Sequence, residues 1–208
     1  MKNKEAIETI KEIRAMMEKS SRYLSFSGTS VILIGLYALA GAFAGLNVMS
    51  SVKHIPGEYL TPSWIAIVPK LILIAASVLA LALGTIVFFS IRKAKKTQQS
   101  FLSKPAIRTF LNFFLPLVTG GIFCIALIVN GNVGIIAPAM LIFYGLSLIN
   151  ASKYTYDNIF WLGCAELFLG LVCAFFPGKG LLFWLIGFGI LHIIYGIYFY
   201  FRIERKGK

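Results

Sequence analysis

Acidic side chains are scarce in this chain: eight Asp and Glu against twenty Lys and Arg in 208 residues, with 13% charged residues altogether. A soluble globular domain carries about 25%, so that class is excluded at the outset. Cysteine is rarer still. Cys124, Cys164 and Cys173 all fall in apolar runs without a C-x-x-C or Cys/His spacing, which removes a disulfide framework and a zinc motif and leaves them as small packing residues. The chain has two histidines, no phosphate-binding loop and no nucleophile–base constellation, so neither an enzyme nor a cofactor or metal is expected. The net charge of +12 does not indicate nucleic acid, because the basic residues sit in short segments between apolar runs. A cleavable leader is not expected either: the first 23 residues are charged and lack a small-residue cleavage site.

What is abundant is apolar sequence, 58% of residues with a mean hydropathy of +0.82. It divides into six segments, about 24–46, 64–91, 110–129, 133–149, 159–176 and 181–201, each long enough for a hydrocarbon core of ~30 Å. The fold class is therefore all-α, a polytopic membrane protein of six transmembrane helices arranged as three hairpins. The membrane domain spans 24–205 and ends in a basic tail, 206–208. Between the segments, seventeen Lys and Arg fall on one side and two on the other, with Lys70 left inside a segment. Such asymmetry places both termini in the cytoplasm. The turns Asn130-Gly131-Asn132 and Pro177–Gly180 are tight enough to force antiparallel neighbours, and Trp64 and Trp184 are expected at the outer interface.

Residues 1–23 read as an amphipathic cytoplasmic helix. Ala6, Ile10, Ile13 and Met17 recur at helical spacing, Glu5 and Glu8 complement the helix dipole, and Glu18–Arg22 is an i,i+4 pair. Its apolar stripe would lie on the bilayer or on the bundle.

Small residues form stripes within the segments. Gly35, Gly41 and Gly45 in the first, Gly84 in the second, Gly163 and Gly170 in the fifth, and Gly189 and Gly196 in the sixth are candidate helix-packing positions, because small residues let backbones approach where lipid supplies no hydrophobic force. Gly84, Gly145 and Gly196 each precede a basic residue by a similar interval, which aligns Ala80, Leu141 and His192. Aligning Ala42, Cys124 and Gly170 similarly matches Ala38, Gly120 and Glu166. A duplicated two-helix unit is one explanation; chance recurrence of small residues is the other.

The sequences WLGCAELFLGLVCAFFPGKG (Trp161–Gly180) and LIGFGILHIIYGIYFYFRIER (Leu185–Arg205), a glycine-rich helix, a Pro-Gly turn and an I-x-Y-G-I helix running into basic residues, resemble the repeat of the HdeD-like acid-resistance membrane proteins. The resemblance is good over 158–205, faint over 110–153 and poor over 24–92. It implies a six-helix bacterial inner-membrane protein of three such hairpins with a stress-linked, non-enzymatic role. It carries over no catalytic residues.

Two titratable side chains stand near mid-membrane, Glu166 and His192. Counted from Gly178 they lie ~18 and ~21 Å deep, level within about one helical turn. Intramembrane ionisable groups cost on the order of 2.5–3.5 kcal/mol on insertion scales and normally face inward with partners. The pair is either a structural hydrogen bond or a proton-responsive site, since histidine ordinarily titrates near neutrality. Lys70, just inside its segment, can snorkel to the interface or meet Glu58 or an anion. Arg92, Lys93, Lys95 and Lys96 could hold lipid headgroups, though they also simply fix topology.

The leading expectation is a non-enzymatic inner-membrane protein of stress-response or membrane-integrity type. The alternatives are a small proton-coupled transporter or channel using Glu166 and His192, and a signalling or assembly subunit acting through the N-terminal helix. The lipid bilayer is the expected partner; a small-molecule substrate and homo-oligomer formation stay open.

Overall fold

The computed structural model describes residues 9, 27–51, 62–96 and 103–205. Apart from short turns these residues are helical, with no strand among them. The expected amphipathic helix 1–23, Glu58 and the tail 206–208 lie outside them, save that residue 9 is helical and exposed.

Six helices follow one another. They are α1 (Gly28–Ser50), α2 (Pro62–Lys96), α3 (Lys104–Val129), α4 (Ile136–Ser152), led in by a 3₁₀ turn at Val133–Ile135, α5 (Asn158–Ala174), and a final helix, α6. The last is α-helical over Gly180–Trp184 and His192–Phe199, and π-helical over Leu185–Leu191 and Tyr200–Glu204. Five of the six are long and apolar enough to cross a membrane; α5, at 17 residues, is the shorter one, about 25 Å at 1.5 Å per residue. The chain is an integral membrane protein.

Local chemistry sets several boundaries. Ser103 caps α3 by accepting from the Ala106 N–H at 3.4 Å, with Pro105 in the first turn where its missing N–H costs nothing. Gly131 and Gly178 adopt positive φ, 73° and 91°, which only glycine does readily, and so close the two short turns. Helix α2 is longer than its apolar run: 35 residues reach ~52 Å, well past a ~30 Å hydrocarbon core. Its basic end therefore projects beyond the apolar zone.

The packing departs from three hairpins. α1 does pack on α2, and α3 on α4, but α5 touches α6 only slightly. The most extensive interfaces are instead α4 with α5 and α1 with α6. A turn of four residues makes two helices neighbours in sequence; close packing needs small residues on both facing surfaces, and these two pairs have them. Gly28 lies against the Gly196 carbonyl and the Tyr200 backbone, as Gly163 lies against the Gly145 carbonyl and the Ile149 backbone. Gly35 meets Ile193 as Gly170 meets Ile142. Gly196 meets the Gly28 carbonyl and Ile32 N–H as Gly145 meets the Gly163 carbonyl and Leu167 N–H. The α1/α6 and α5/α4 interfaces are thus built alike, contact for contact. They equate Gly35 with Gly170, one heptad away from the Ala42–Gly170 alignment drawn from sequence, and they equate Val31, not Ala38, with Glu166.

Gly41 and Gly45 of α1 pack against Val78 and Leu181, and Gly189 against Leu39. Gly84 is the exception among the eight candidates. No described residue lies within 4 Å of where its Cβ would be, because α2 packs on α1 through another face. The outer faces of α2 and α3 are apolar and exposed, with Leu73, Phe88, Leu115 and Ile122 among them, as lipid contact requires. Trp184, near the start of α6, faces into the bundle, buried at 7% exposure against Ala38 and Ala42.

Candidate functional site

Glu166 comes from the middle of α5, His192 from the first residue after the π stretch of α6, and Tyr144 from the middle of α4. They meet where those three helices converge. Glu166 is fully buried and His192 is 2% exposed. Their depths were matched by the short Pro177–Gly180 turn, and His192 Nδ1 stands 3.3 Å from Glu166 Oε1.

The imidazole is fully engaged. Nδ1 lies 3.0 Å from the Gly187 carbonyl oxygen, which can only accept, so Nδ1 carries a hydrogen and donates it. In the neutral ring Nε2 is then an acceptor, and the Tyr144 hydroxyl donates to it at 2.7 Å. This tautomer is fixed by the network. The π stretch matters here because its wider turn alters which backbone groups face which neighbours, and His192 closes it by reaching back to Gly187.

The carboxyl is not engaged. Among the described residues the only buried side-chain polar atoms without a hydrogen-bond partner are Glu166 Oε1, Glu166 Oε2 and the Tyr195 hydroxyl. The 3.3 Å approach is an ion-pair distance without hydrogen-bond alignment, since the Nδ1 hydrogen points to Gly187. This orphaning is selective. Ser77, Thr109, Thr119 and Ser147 all return their hydroxyls to a carbonyl four residues back, the usual way of satisfying a polar group in a membrane helix. Buried polar groups lacking partners are rare and call for a reason.

Glycine makes the room. A Cβ on Gly187 would sit 2.5 Å from Glu166 Oε2 and 2.6 Å from Leu141 Cδ2. Aromatic rings wall the imidazole: Tyr144 at 5.4 Å and Phe188 at 6.2 Å between centroids, with Trp184 5.4 Å beyond Phe188. Chemically the cluster can hold one proton in two net-neutral forms. Either a neutral carboxyl faces a neutral imidazole, or a carboxylate faces an imidazolium across the same gap. In the second form Nε2 becomes a donor and the Tyr144 hydroxyl must rotate to accept from it.

The remaining candidates are elsewhere. Lys70 is exposed in the N-terminal part of α2. Arg92 and Lys95 are exposed, while Lys93 places Nζ 5.9 Å over the Tyr156 ring, which ties the end of α2 to the α4–α5 connection; Lys96 ends the helix. Among the described residues no Lys or Arg side chain pairs with Glu166. Among the described residues no three His, Cys, Asp or Glu side chains gather to hold a metal ion. Tyr144, Gly187 and Tyr195 were not singled out by sequence. A signal existed: Tyr-Gly recurs as Tyr144-Gly145 and Tyr195-Gly196, at positions the two like-built interfaces make equivalent.

Comparison with family models, with curated proteins and with solved structures finds no match for the chain.

Proposed function

We propose that this is a non-enzymatic integral membrane protein that responds to proton activity through Glu166, His192 and Tyr144. The observation that carries the reading is the Glu166 carboxyl, fully buried, without a hydrogen-bond partner, and 3.3 Å from an imidazole whose own bonds are complete. A purely structural pair would close its hydrogen bond, because an unsatisfied buried group costs about 1–3 kcal/mol. A site that must take and release a proton gains from leaving one acceptor open. The cluster also sits at the junction of the α4/α5 pair with α6, so a change of proton position acts on helix packing. The resemblance to HdeD-like proteins supports a stress-linked role in a bacterial inner membrane. In the threading that suits the basic asymmetry, α5 is the fifth of six spans and both termini are cytoplasmic.

Trp184 is a built-in reporter, being in contact with Phe188, which stacks on His192. In a Trp64→Phe, Trp161→Phe background in nanodiscs, the Trp184 emission should change with pH. Glu166→Gln should melt near the parent temperature and lose that titration. A Glu166→Gln protein that titrates like its parent would remove Glu166 from the account.

A further inference from the structure

The environment of the cluster is lopsided. Toward the Trp184 end the packing is Ala38, Ala42, Trp184, Met140, Leu181, Leu185 and Phe188, side chains with no hydroxyl or carboxyl among them. Toward the Lys93 end, the core of Leu148, Ile159 and Leu162 is packed by Tyr144, Tyr156 and Tyr195. Three phenols therefore pack in the second of these clusters, and none packs in the first. Tyr144 is already hydrogen-bonded to His192. Tyr195, one turn further along α6, has a buried hydroxyl without a partner. Tyr156 is edge-on to Phe199 at 4.7 Å and lies beneath the Lys93 ammonium, at the end where α2 passes beyond the apolar zone.

We propose that this line of phenols is the proton route of the site: water bound between Tyr195 and the Glu166–His192–Tyr144 cluster joins it to the face bearing Lys93 and Tyr156, and to that face alone. The inference rests on the proton-responsive reading and adds the direction of access. Buried polar atoms without protein partners are where internal water binds, given two or more such groups within reach. Glu166 offers two acceptors and Tyr195 a donor and an acceptor. The transfer balances at every step. Each hydroxyl or water accepts one proton on a lone pair and releases its own to the next, so one proton leaves bulk water and one arrives on the Glu166 carboxylate or at His192 Nε2. Gly28–Ser50 and Ile136–Ser152, the helices packed on α6 and α5, contain no acidic or basic side chain, and His192–Phe199 contains none besides His192. Tyr37 of α1 is turned to Thr85 at 3.5 Å, and Cys173 lies two turns outward on α5.

The test is a stopped-flow pH jump read by Trp184 emission in the same single-tryptophan background. Tyr195→Phe keeps the ring and its packing and removes only the hydroxyl. It should leave the end-point titration unchanged and slow the relaxation at least tenfold, while Tyr198→Phe, an exposed phenol, should leave the rate as it was. A Tyr195→Phe protein relaxing at the parent rate overturns the route and leaves the proton-responsive reading standing. The absence of any titration in the parent overturns that reading and this one with it. A second measurement needs no variant at Tyr195. In vesicles of uniform orientation, the jump should be followed faster from the Lys93 and Tyr156 face than from the Trp184 face; equal rates, or the reverse order, contradict the inference.

Discussion

At the scale of single residues, Gly187 decides whether Glu166 and His192 can approach at all. Its missing Cβ is the space occupied by Glu166 Oε2, and its carbonyl orients the imidazole. In Gly187→Ala the new carbon would lie 2.5 Å from that oxygen, closer than real contacts permit. The carboxyl is the end of a flexible side chain, so it should swing away while the helices stay. We expect a loss of about 1–3 kcal/mol of stability from the overpacking, together with a weakened or displaced Trp184 titration. Thermal melting and the emission titration, run side by side, check both. A variant that melts lower yet titrates as before would show that Gly187 does not position the carboxyl. Sequence spacing brought Glu166 and His192 to one depth because two 1.5 Å-per-residue rises from a common turn fix depth well. It did not reveal Tyr144, because the three-hairpin scheme paired α5 with α6, whereas α5 packs most extensively on the preceding helix, α4.

At the scale of helices, two interfaces built contact for contact alike hold the bundle, and glycine is the common element. Gly145 and Gly84 occupy corresponding places before a basic residue in sequence, yet only Gly145 is pressed on a backbone. A Cβ there would meet Leu167 N at 2.6 Å and the Gly163 carbonyl at 2.7 Å, and a helix backbone cannot yield as a side chain can. Gly145→Ala should therefore separate α4 from α5 and lower the melting temperature sharply. Gly84→Ala meets nothing and should be neutral, or stabilising by up to ~1 kcal/mol through helix propensity. Comparable melting of the two variants would contradict the assignment of the interface. The helix ends were less legible than the helices. Hydropathy senses the hydrocarbon, so it stopped the second helix at Ile91 although the hydrogen-bonded spiral runs to Lys96. It began the first at Leu24, whereas α1 starts at Gly28. The π stretch at Leu185–Leu191 left no mark in composition, since an extra residue in a turn changes no residue type. Small residues repeating every seventh position explain the misplaced register, because Ala42 fits the pattern as well as Gly35 does.

At the scale of the whole molecule, the account places one charged end and one apolar end around a single buried carboxyl. In the proposed threading the charged end is the cytoplasmic one, which the asymmetry of lysines and arginines favours. In a protein stripped of Cys124, Cys164 and Cys173, a cysteine at Ser51 should react with an impermeant reagent from outside and one at Ser100 should not; the reverse labelling would invert the topology and the side of proton access with it. The central claim is that Glu166 itself gains and loses a proton in the folded protein. Infrared difference spectroscopy sees that event directly, as the carboxylic C=O stretch of a single buried side chain. The account predicts a pH-dependent carboxyl band in the wild-type protein that vanishes in Glu166→Gln and shifts in Tyr144→Phe, and a spectrum in which no such band changes with pH, or in which the band survives Glu166→Gln, would contradict it.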